Sequence, residues 1–140
     1  MLEPFITIED DPPEKDIRVL WDGIGEYNFW QTGLKGQPVL VFLRDEQHEV
    51  IGGAYGWAVY AWLHVRVLWL REDQRQRGWG TRILQATEAE AVKKGCRHSR
   101  LETYSFQALG FYQKNGYRVF SELGNVVEDH RLYFLEKDLR

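Results

Sequence analysis

The spacing of apolar and polar residues changes several times along the chain, and each change predicts an element. "PFITIED" alternates and predicts a short first strand, which "DDPP" ends. Ile17, Leu20, Trp21 and Ile24 then recur three and four residues apart, predicting a helix over residues 14–28. After the loop "QTGLKGQP", the runs "PVLVFLR" and "EVIGGAYGWAVYAW" read as a hairpin joined through "DEQH". Glycines 52, 53 and 56 would weaken the second of these strands unless something packs closely there or the strand bulges. "HVRVLWL" predicts the next strand. The following segment turns helical up to Lys94, where Gly95 suits a left-handed cap. "SRLET" is a strand, "SFQALGFYQKN" a short helix closed by Gly116, and "YRVFSEL" and "HRLYFLEKDL" two closing strands around "GNVVED". The order β-α-β-β-β-α-β-α-β-β describes an α/β fold with a mixed central sheet flanked by helices. Without repeats or linkers, residues 1–140 read as one domain.

Composition narrows the class. Hydrophobic residues make up 44% and charged residues 28% of the 140, which suits a globular domain able to bury its own core. No apolar run reaches membrane-spanning length, and the acidic N-terminus lacks a signal-peptide pattern, so a cytoplasmic protein with no membrane partner is expected. Cys96 is the single cysteine, which excludes an internal disulfide, and its place after a helix cap reads as packing. Four scattered histidines show no metal-ligand spacing, so no metal is expected. The net charge of -3 is uneven: positions 1–50 hold 11 acidic and 4 basic residues, positions 51–140 hold 10 and 14. The basic excess is too small to suggest nucleic acid. The acidic half suits a cationic partner and the basic half an anionic one.

The chemistry concentrates in "LREDQRQRGWGTRILQ", where an apolar strand turns into a helix. A helix start exposes unpaired N–H groups and the positive end of the dipole, and so attracts phosphate. Gly78 and Gly80 clear side chains from that approach, and Arg75 and Arg77 add positive charge. Neither the P-loop pattern nor the GxGxxG pattern is present, since no Lys-Ser or Lys-Thr follows the glycines and Ile83 occupies the third glycine position. Arg75-Gln76-Arg77-Gly78-Trp79-Gly80 does fit [RQ]xxGx[GA], which resembles the acyl-CoA pyrophosphate motif of the GNAT N-acetyltransferase superfamily. "SFQALGFYQKNGY" is similar to the superfamily's NxxAxxxYxxxGF segment through Ala108, Tyr112, Gly116 and Tyr117.

The resemblance implies a single-domain GNAT fold in which two adjacent parallel strands splay into a V that receives acetyl-CoA. It implies that main-chain groups of Leu68, Trp69 and Leu70 hold pantetheine, and that the amides of Gln76 through Gly80, with Arg75 and Arg77, hold the pyrophosphate. Tyr112 is the implied general acid, a phenol able to protonate the leaving thiolate. On a helix starting near Ser105, residues 105, 108 and 112 would share a face, bringing Ser105 and Ala108 to the cofactor. The family usually has Asn where Ser105 stands, which weakens that contact. Where relatives carry a basic glutamate, the ungapped position here is His64, with Glu72 and Glu102 as rivals. Direct transfer to a primary amine in a ternary complex is implied. The charge asymmetry and the aromatics Trp21, Tyr27, Trp30, Tyr55, Trp57 and Trp62 lean towards a small cationic acceptor. A non-catalytic acyl-CoA-binding sensor and a mononucleotide-binding domain stay open as alternatives. Analogy with relatives suggests a homodimer.

Overall fold

The computed structural model describes residues 2–140 and divides into two compact units, up to Lys35 and from Gly36 to Arg140. The first unit contains α1 (Glu14–Thr32), which ends where Gly33 takes a left-handed conformation and donates its N–H to Phe29. The helix runs four residues beyond its expected end. The strand expected in residues 4–10 does not form. Phe5, Ile6 and Ile8 are almost fully exposed, and no strand within this unit faces them. Alternation becomes a strand only where a second strand supplies the ladder.

The second unit is a six-stranded mixed sheet. Its elements are β1 (Gln37–Arg44), β2 (Val50–Val59), β3 (Trp62–Leu70), a 3-10 turn at Glu72–Gln74, α2 (Trp79–Lys93), β4 (His98–Tyr104), α3 (Leu109–Lys114), β5 (Arg118–Val127) and β6 (His130–Asp138). The strand order is β1-β2-β3-β4-β6-β5, and only β3 and β4 run parallel. The second hairpin turns at Tyr60 and Ala61, so Trp62, expected at the end of β2, opens β3 instead. The glycines of β2 meet both conditions set by the sequence. A Cβ on Gly53, where φ is 154°, would strike the Val41 carbonyl oxygen, and the β2–β3 register slips between Tyr55 and Gly56.

That slip leaves Arg66 unopposed, because Gly56 faces Val65 and Tyr55 faces Val67. A bulge adds one residue and reverses the side-chain alternation. Leu63 and Val65 point into the core before it, and Leu68 and Leu70 are the half-buried positions after it. Immediately beyond, β3 parts from β4. Their parallel pairing runs only from Trp62↔His98 to Val65↔Leu101, although both strands continue. The expected splay therefore begins at the bulge.

The core joins Val39, Ala58, Leu63 and Val65 of the sheet to Leu84 and Ala91 of α2, with Leu101, Tyr112, Tyr117 and Leu135. Burying a side chain of this size contributes about 1.5–3 kcal/mol. Behind α2 lies a polar knot. Tyr117 donates its hydroxyl proton to Glu88 Oε2 at 2.7 Å and sits 2.8 Å from the Ser99 hydroxyl. Lys137 Nζ donates to both Glu88 oxygens, at 2.9 and 3.2 Å. Burial first, then the Glu88 carboxylate, raises the Tyr117 phenol far above its ordinary pKa, so it stays a donor.

Candidate active site

Past the bulge, β3 leads into the turn that starts α2. Gln76 (φ 58°) and Gly78 (φ 85°) are both left-handed, which folds the backbone tightly over three residues. Gly78 is the N-cap of α2 and offers no side-chain oxygen, and the first turn contains no acidic residue. The first helical bond in this turn runs from Arg82 N–H to the Gly78 carbonyl. The amides of Trp79, Gly80 and Thr81 precede it and have no intrahelical acceptor. An anion there gains about 0.3–1 kcal/mol from the dipole alone.

A cleft of about 550 Å³ opens at this point. Leu68, Leu70, Arg75, Gln76, Gly78, Gly80 and Ala108 line it, all expected from the sequence. Thr81, Phe111 and Lys114 also line it and were not expected. Strand alternation puts the Trp69 side chain on the other face, leaving only its main chain at the splay. Arg75 Nε donates to the Leu70 carbonyl at 3.0 Å, fixing its guanidinium at the strand end. Arg77 turns aside to Gln74 Oε1 at 3.2 Å, and the Trp79 ring lies under Arg82, 4.4 Å from the guanidinium carbon. Arg77 and Trp79, both expected at the cofactor site, are not among the residues that line the cleft.

The third segment departs from expectation. α3 begins at Leu109, not near Ser105, so 105, 108 and 112 share no helix face. Ser105 instead ties the end of β4 to β6. Its hydroxyl accepts the Arg131 N–H at 3.1 Å and lies 2.9 Å from His130 Nδ1, and its N–H bonds the Arg131 carbonyl. The residues brought to the cleft are 108, 111 and 114, three apart. That spacing was readable in "ALGFYQK" once the helix start was known. Phe111 reaches the first turn of α2, where a Cβ on Gly80 would lie 3.2 Å from its ring.

Tyr112 packs into the core, edge-on to Phe111 and Tyr117 at 5.1 and 6.0 Å. Burial raises its pKa, which keeps the phenol protonated. Its hydroxyl makes no hydrogen bond, yet no buried side-chain polar atom among the described residues lacks a partner. That oxygen is therefore not fully sealed in, although Tyr112 is not among the residues that line the cleft. His64 lies on the opposite face of β3, beside Arg100 of β4. Burial first, then Arg100 and Arg66, lowers its pKa to about 4, so the ring is neutral near pH 7. Glu102 Oε1 is 3.9 Å from His64 Nε2, too far for a hydrogen bond, so two of the three base candidates stand together. Glu72 lies on the exposed 3-10 turn. Burial also raises the Cys96 thiol pKa, which fits its packing role.

The model for the acetyltransferase (GNAT) family matches residues 4–117. A blasticidin-S acetyltransferase of Streptomyces morookaense is 38% identical over 110 residues, covering 76% of this chain and 81% of the relative. A crystal structure from Agrobacterium tumefaciens superposes with a TM-score of 0.89 at 25% identity, over 97% of this chain and all of the other. An acetyltransferase crystal structure from Bacillus cereus gives 0.78 at 28% identity, over 95% and 98%.

Proposed function

This chain belongs to the GNAT acetyltransferase family, and on that premise we propose that it moves an acetyl group from acetyl-CoA to a primary amine of a small cationic acceptor, by direct attack in a ternary complex. The observation that carries this is the cleft itself. A splayed strand edge with apolar side chains leads into uncapped amides at a helix start, and no carboxylate lines the space. That donor set fits a thioester coenzyme with an amide-bearing arm and a diphosphate.

The coenzyme supplies an activated acyl carbon. The chain's part is to orient it and manage two protons. Main-chain groups of Leu68–Leu70 hold the arm at the splay, and the Gln76–Gly80 turn with Arg75 holds the diphosphate. As the amine nitrogen bonds to the acyl carbon and the carbon–sulfur bond breaks, Tyr112 gives its phenolic proton to the departing sulfur. The proton lost by the amine passes to His64, directly or through water, and Glu102 stands next along that path. With a pKa of about 4, His64 is neutral and able to accept, but it holds a proton weakly and works as a relay. The acidic excess in positions 1–50 supports a cationic acceptor. Kinship with an enzyme named for acetylating blasticidin-S supports the acetyl transfer itself.

The test is release of free CoA thiol from acetyl-CoA across a panel of cationic, neutral and acidic amines. Turnover confined to cationic amines supports the proposal. Binding of acetyl-CoA without turnover of any amine would make the protein a sensor module, and turnover confined to acidic or neutral amines would refute the acceptor assignment.

A further inference from the structure

Four lysines lie between Gly36 and Arg140. Three meet glutamates: Lys93 and Lys94 approach Glu90 at 3.9 and 2.8 Å, and Lys137 is 2.9 Å from Glu88. Lys114 pairs with no carboxylate among the described residues, and it is the lysine that lines the cleft. The cleft is lined by residues of three elements and the turn between two of them. Arg75, Gln76 and the α2 amides lie on the wall built from β3 and α2, while Ala108, Phe111 and Lys114 form the α3 wall. Arg75 is already held by the Leu70 carbonyl, so the one mobile cation at the cleft comes from the facing wall. An unpaired ammonium on a flexible stem, in a cleft free of acidic side chains, suits a phosphate as a point charge.

We propose that Lys114 recognises a phosphate of the coenzyme from the α3 side, so that the cleft selects phosphorylated coenzyme over its pantetheine portion. This rests on the cleft being the acetyl-CoA site. The phosphate is either the diphosphate held by the α2 turn or the ribose 3′-phosphate, and both present the same chemistry. The position also has a purely structural use, because a cation in the last turn of a helix favours the carbonyl end of its dipole. That use predicts a change in stability without any change in ligand selectivity.

Titration calorimetry of the wild-type protein, Lys114→Met and Lys114→Arg against CoA, 3′-dephospho-CoA and pantetheine separates these. The expected result is that Lys114→Met weakens CoA binding by about 5- to 30-fold, leaves pantetheine binding unchanged, and flattens the salt dependence of CoA binding, while Lys114→Arg restores most of the loss. If Lys114→Met weakens CoA but not 3′-dephospho-CoA, the contact is to the 3′-phosphate. If it weakens both equally, the contact is to the diphosphate. Equal CoA affinity of wild type and Lys114→Met, or an equal loss for CoA and pantetheine, overturns the inference and leaves the cleft assignment standing. Failure of wild type to bind CoA overturns both. Melting temperatures without ligand show whether Lys114→Met is folded.

Discussion

Replacing Lys137 by Met should unbalance the knot behind α2. The carboxylate of Glu88, 8% exposed, receives two hydrogen bonds from Lys137 and one from Tyr117. Without the lysine, one phenol remains to solvate a buried negative charge. Breaking a buried pair from one side costs about 3–5 kcal/mol. The Lys137 side chain is 25% exposed, so water recovers part of this and the lower end, about 3 kcal/mol, applies. For a chain of 140 residues that lowers the melting temperature by about 10 °C. Urea denaturation of Lys137→Met, Glu88→Leu and the double variant, analysed as a cycle, measures the coupling. The double variant should be more stable than Lys137→Met, because it removes the stranded charge together with its partner. A Lys137→Met cost below about 1 kcal/mol, or costs that simply add, would refute the view that these groups act as one unit.

Tyr112→Phe should lower kcat by about 10²- to 10⁴-fold while leaving stability nearly unchanged, since the hydroxyl bonds nothing in the fold; stopped-flow thiol release and thermal melts check the two halves. His64 has a folded pKa of about 4 against an ordinary 6.5, so between those values the unfolded chain binds a proton that the folded one refuses. Stability should therefore fall by about 2–3 kcal/mol as pH drops from 6.5 to 4, and His64→Gln should remove that slope in denaturation curves across pH. Gly53→Ala should destabilise by about 2 kcal/mol or more, because the added methyl meets the Val41 backbone and neither strand can yield; a soluble variant with an unchanged urea midpoint would contradict this.

The sequence revealed the succession of elements along the chain from β1 to β6 and most of the residues lining the cleft, because both rest on local patterns. The turn from Gln76 to Gly80 needs only its own residues to form. The misses depended on distant partners. "PFITIED" alternates like a strand, yet alternation does not say whether an edge is available. Ser105 looked like a helix start, but Arg131 and His130 of β6 claim its polar groups, and Gln107 accepts the Tyr104 N–H, so the chain turns there before α3 begins. The bulge at Arg66 was hidden because "VLWL" is apolar at every position and shows no change of phase. The depressed His64 basicity comes first from burial in the folded sheet, then from Arg100, thirty-six residues away, and Arg66, two residues on.

The separation of β3 from β4 beyond Val65 and Leu101 leaves two main-chain edges facing each other across the middle of the sheet with no strand between them. Edges of this kind are usually hidden or blunted where sheets end. Here they form a seam: along Val67–Leu70 and Glu102–Thr103 the main chain still pairs on one edge with β2 or β6, and on the other edge its groups face the gap without a strand partner. A bound molecule lying along the seam acts as a borrowed strand. If the coenzyme binds as proposed, deuterium uptake at the gap-facing amides should slow on ligation more than anywhere else in the sheet, the ligand completing the ladder where the two strands part.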